Sequence, residues 1–103
     1  MIIRITSDRS IRLEEPTDFR KFKVACDLPA ARHADVADAN PDAVRFDDPK
    51  TAWVSIAALR TWDGLKDDQA WQDGLSAMIK AAEPHGWISP DKRAIKAHVE
   101  WVG

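Results

Sequence analysis

Ala94-Ile95-Lys96-Ala97-His98-Val99-Glu100-Trp101-Val102 decides the fold. Ile95, Ala97, Val99 and Trp101 alternate with Lys96, His98 and Glu100. A period of two puts the first set on one face of a β-strand and the second on the other, which fixes inside and outside. Just upstream, Gly86-Trp87-Ile88-Ser89 runs into Pro90-Asp91-Lys92-Arg93, whose residues favour a turn. Residues 86–102 therefore predict a β-hairpin.

Such a strand needs something to bury its apolar face against, and residues 67–83 supply it. Trp71, Leu75, Met78, Ile79 and Ala82 recur at helical spacing and share one face. Asp67 is placed to cap this helix and Asp68 to meet the positive end of its dipole, while Pro84 and Gly86 stop it. Gly74 weakens the helix by up to ~1 kcal/mol relative to alanine and marks a close contact with another element.

The other end of the chain repeats the strand pattern. Ile3 and Ile5 alternate with Arg4 and Thr6, and Ile11 and Leu13 with Arg12 and Glu14. Ser7-Asp8-Arg9-Ser10 lies between them, so residues 2–14 predict a second hairpin. Val44-Arg45-Phe46 and Ala52-Trp53-Val54 read as two short strands across a turn-rich link. Ser55 then caps a short helix over 56–62, ended by Asp63-Gly64. Residues 17–28 support two readings. Phe19, Phe22 and Cys26 fit a helical stripe, whereas Phe22, Val24 and Cys26 fit a strand, which Pro29 slightly favours. Residues 29–42 fit either a short helix after Pro29 or a loop.

These elements give a single α+β domain over residues 1–103, with antiparallel hairpins at both ends packed on one main amphipathic helix. The order of the second half (short helix, turn, longer helix, hairpin) also fits a winged helix. In that arrangement 67–83 would read DNA and Lys92-Arg93 would form the wing tip. Charge opposes it, because Asp67 and Asp68 make the first turn of that helix acidic and phosphates would repel it. The net charge of the 103 residues is −2, which is no footprint for nucleic acid.

Met1-Ile2-Ile3-Arg4 lacks the apolar core of a secretory signal, and no apolar run approaches the ~20 residues that span a bilayer. Cys26 has no second cysteine to pair with. A reduced, cytoplasmic protein without membrane attachment is the expectation.

Two constellations could carry chemistry. His98 and Glu100 share a strand face and His85 precedes the hairpin that returns it. Two imidazoles and a carboxylate suit acid–base work or an open metal site. The spacing matches no established metal motif, so no metal and no cofactor is expected. Cys26 would need a base such as His33 to act as a nucleophile, and a packed thiol is the simpler reading. Four scattered glycines exclude a phosphate-cradling loop.

The aromatic inventory is five tryptophans, three phenylalanines and no tyrosine. Trp71, Trp87 and Trp101 are expected to fill the gap between helix and sheet. Trp53 and Trp62, near element ends, are the candidates for a contact surface. The leading expectation is a small non-catalytic interaction or regulatory domain, whose partner is another protein or a second copy. An enzyme using His85, His98 and Glu100 comes second, and a winged-helix DNA binder third.

Overall fold

The alternating strand becomes the centre of the molecule. A computed structural model describes residues 1–102 and places this strand, β6 (Ala94–Trp101), inside a six-stranded mixed sheet. Its partners are β1 (Ile2–Ile5), β2 (Ile11–Glu14), β3 (Lys23–Cys26), β4 (Val44–Asp48) and β5 (Thr51–Ser55), in the spatial order β2-β1-β3-β6-β5-β4. The β1–β2 and β4–β5 pairs are the expected antiparallel hairpins, and β5 pairs antiparallel with β6. The β1–β3 and β3–β6 pairs are parallel.

Helices close one face of this sheet. They are α1 (His33–Ala37, after a 3-10 turn at Ala30–Arg32), α2 (Ile56–Arg60) and α3 (Gln69–Ala82). Val36, Leu59, Trp71 and Leu75 from the helices join Ile3, Ile5, Val24, Val54, Ile95 and Val99 from the strands in one core. The opposite face carries Arg12, Arg45, Lys96, His98 and Glu100 in solvent. The alternation of β6 falls as its sequence predicts: Ile95, Ala97 and Val99 are buried, and Lys96, His98 and Glu100 are exposed.

Local chemistry explains the helix ends. Ser55 Oγ accepts the Ala58 N–H at 3.2 Å and starts α2. At α3 the cap is Asp68, not Asp67: its carboxylate accepts the Trp71 N–H at 3.1 Å. Position 68 has the extended backbone that an N-cap needs. Gly74 does mark a close approach, since a Cβ there would lie 2.5 Å from the ring of Phe19.

Several finer expectations change. Residues 17–28 divide into a turn-rich segment and the short strand β3, so Phe19 and Phe22 belong to neither a helix nor a strand. Residues 29–42 hold the 3-10 turn and α1. The arm of the C-terminal hairpin before Pro90 shrinks to one bridge, Ile88 to Ile95. β6 finds better pairing between β3 and β5, and a strand buried at the sheet centre cannot be the exposed wing of a winged helix. Trp87 is not core either. It is 49% exposed because the segment after Gly86 (φ +75°) swings the ring outward. Trp71 is core at 3% exposure, while Trp101 is half-buried, edge-on to His33 with centroids 5.9 Å apart.

The turn between β1 and β2 makes a pH prediction. Thr6 Oγ donates to the Asp8 carboxylate and the Ser10 N–H reaches it at 3.0 Å. The Thr6 hydrogen bond, then the Ser10 bond, hold the Asp8 carboxyl down at about 2 against an ordinary 3.8. A carboxyl depressed in the fold stabilises it above the unfolded value, and that stabilisation is lost as pH falls through the folded value. Urea midpoints of the parent and Asp8→Asn should differ by a constant amount above about pH 4 and converge toward about pH 2. A pH-independent difference would remove Asp8 from the acid response.

Candidate functional site

β6 is longer than its neighbour β3, and the mismatch opens the molecule. On one flank β6 pairs along Ala94–His98 with β5. On the other, β3 begins only at Lys23, opposite His98. Further up that flank, Lys96 donates its backbone N–H to the Trp87 carbonyl at 2.7 Å. Between Phe22 and Trp87 the ladder is interrupted beside Ala97. A cleft of about 590 Å³ occupies the interruption, within the usual range for small-molecule sites of about 300–1,000 Å³.

Three parts of the chain build its walls. Phe19 and Phe22 form one side, Met78, Ala81 and Ala82 of α3 another, and Ile95 with Ala97 the third. Phe19 is held there by α3 itself. The Trp71 Nε1–H donates to the Pro16 carbonyl at 2.8 Å, and the Phe19 and Trp71 rings lie 6.3 Å apart. The absent side chain at Gly74 leaves room for Phe19. At the rim the His85 ring stacks on Trp87 with centroids 4.3 Å apart and planes 19° apart.

The cleft's charged walls are of one sign. Arg20, Lys50 and Lys96 line it, with His85 and His98, and no carboxylate does. None of the three cations takes part in an ion pair among the described residues, whose pairs are Arg4 with Glu14 and Asp27, Lys23 with Glu100, and Arg32 with Asp35.

Of the residues singled out in the sequence, His85 and His98 therefore share this cleft, but Glu100 does not line it. Glu100 lies farther along the open face, 2.9 Å from Lys23 Nζ. The hydrogen bond from Lys23, with its charge, holds the Glu100 carboxyl below the usual range. Among the described residues no group of three or more His, Cys, Asp or Glu side chains is placed to hold a metal ion.

Cys26 is buried, and burial, with Asp27 adding to it, pushes its thiol up to about 11. Such a thiol stays protonated at neutral pH and is a poor nucleophile. His33 packs edge-on against Phe46 at 5.4 Å, with its Nε2 buried and unpartnered among the described residues.

Trp53 and Trp62 are both half-buried and stand apart from the cleft. Trp62 packs on the core. Trp53 stands on the open sheet face between Arg45 and Lys96 in register, and donates its indole N–H to Asp47 at 2.7 Å. A smaller, more polar hollow of about 340 Å³ adjoins Trp53, with Arg45 and Arg93 balanced by Asp42 and Asp91.

The sequence pattern marks neither Phe19 nor Phe22 as a site residue, and it leaves Trp87 between the core and an aromatic-lined pocket. Phe19 and Phe22 sit in the stretch whose periodicity was divided, and Trp87 follows a glycine whose positive φ no pattern revealed. No helix among the described residues is long and apolar enough to cross a membrane. The chain matches no family model, no curated protein and no solved structure.

Proposed function

We propose that this chain is a non-catalytic binding domain that seats a small, largely apolar ligand in the cleft beside β6. One observation carries the reading: most of the surface that lines the interruption is apolar, and its rim holds a half-exposed tryptophan braced by a histidine ring. Water against such walls is released when a ligand covers them, at about 25 cal/mol per Å² of apolar surface. A reducing, cytoplasmic setting belongs to the same proposal and is supported by the lone buried thiol of Cys26. The contact surface moves from Trp53 and Trp62 to the cleft, because the open face around Trp53 is largely charged and suits an apolar partner poorly.

The test is to close the cleft without disturbing the fold. Ala81 is exposed on α3 and lines the mouth. Ala81→Trp should weaken binding of N-phenylnaphthylamine, an uncharged dye that brightens on leaving water, by at least about tenfold, or ~1.4 kcal/mol. Stability should stay within about 0.5 kcal/mol, as for most surface substitutions. Equal dye binding by the parent and the variant would defeat the proposal.

A further inference from the structure

The charge of the cleft deepens the reading above, and rests on it. We infer that the ligand is an amphipathic carboxylate, with its apolar body between Phe19, Phe22 and Met78 and its carboxylate among Arg20, Lys50 and Lys96. The chain as a whole is slightly acidic, at −2, so a hollow lined by three cations and no carboxylate departs from the general surface.

Elsewhere on the open face the same sheet neutralises two cations, Arg4 and Lys23, while Arg12 and Arg45 stand without an ion pair among the described residues. Arg4 is held by Glu14 at 2.8 Å and Asp27 at 2.6 Å, and Lys23 by Glu100 at 2.9 Å. Arg20, Lys50 and Lys96 have no such partner among the described residues. They converge from three separate segments: the turn before β3, the β4–β5 turn, and β6. An anion entering there gains charge complementarity without displacing an existing ion pair. A cation gains nothing and meets like charge.

The body of the ligand is either an alkyl chain or an aromatic ring. Both offer the same chemistry, an apolar group ending in one carboxylate, and the experiment separates them. The full chain is titrated at neutral pH with octanoate, octanamide, phenylbutanoate and phenylbutanamide, and the backbone amides of Ala81, Ala82, Trp87 and Ile95 are followed. Each acid and its amide have nearly the same shape and differ in charge.

The expected result is that at least one acid binds about tenfold more tightly than its amide, as three exposed cations of modest individual effect provide together. Which acid leads tells alkyl from aromatic. Lys96→Gln should cost the acid about threefold and leave the amide unchanged, and raising the salt concentration should narrow the difference between acid and amide. Amides that bind as tightly as their acids would overturn this inference and leave the binding reading standing. No shift at those four amides with any of the four compounds would overturn both.

Discussion

Trp71→Ala is expected to cost about 3–5 kcal/mol, the range for removing a large aromatic from a packed core. In a domain of this size that lowers the melting temperature by roughly 12–40 °C, at about 4–8 °C per kcal/mol. Trp71 is only 3% exposed. Its ring fills the space under the sheet, and its indole N–H is the hydrogen bond that ties α3 to Pro16. Trp71→Phe separates the two contributions: it keeps most of the ring and loses the hydrogen bond, for about 1 kcal/mol plus a small cavity term. The effect extends to the cleft. Residues 16–22 carry Phe19, Arg20 and Phe22 to it, so Trp71→Ala should weaken dye binding even far below its melting temperature. A loss below about 1 kcal/mol, read by urea unfolding, would show that α3 is not anchored through Trp71.

How much of this was legible depends on where the deciding information lies. α3 and the strand pairs at 2–14 and 44–54 rest on local periodicity and on turn and cap residues, all of them neighbours in sequence. β6 announced its two faces by strict alternation. Its partners could not be read, because β3 joins β6 by a parallel pairing between residues as distant as Lys23 and His98, and nothing in either segment names the other. The hairpin expected from Pro90-Asp91 was the best local guess. It lost to pairings with β3 and β5 that bury Val99 and Ala97 at the sheet centre.

The ambiguity of residues 17–28 had a physical origin too. Phe19 and Phe22 are spaced as in a helix but serve as walls of a cleft, a duty with no periodicity of its own. The site was half visible for the same reason. His85 and His98 were marked by their side-chain chemistry and do share the cleft. Arg20, Lys50 and Lys96 looked like ordinary surface charges until the fold brought them together. The exposure of Trp87 depends on a backbone turn at Gly86 rather than on any hydrophobic pattern.

The sharpest test of the assigned faces compares two adjacent residues of β6. Val99 is 3% exposed and sits in a row across three strands with Val24 and Ile3, both fully buried. Val99→Asp places a carboxylate among these apolar side chains. The group must stay charged in an apolar medium or bind a proton, and either route costs several kcal/mol. A loss above about 4 kcal/mol is expected, against a total stability of roughly 5–15 kcal/mol for a small domain. The variant should be largely unfolded by circular dichroism or lose most of its urea midpoint.

His98→Asp, one residue earlier, points the same carboxylate to the open face beside Lys23. Stability should change by no more than about 0.5 kcal/mol. Binding should change instead, because an anion then lines the cleft with Arg20, Lys50 and Lys96, and octanoate affinity should fall by about threefold or more. The pair thus separates structure from function at adjacent positions: Val99 holds the fold and His98 lines the cleft. A Val99→Asp chain with the parent's midpoint would reverse the assigned faces. A His98→Asp chain that is stable but binds octanoate as the parent does would move the carboxylate away from this end of the cleft.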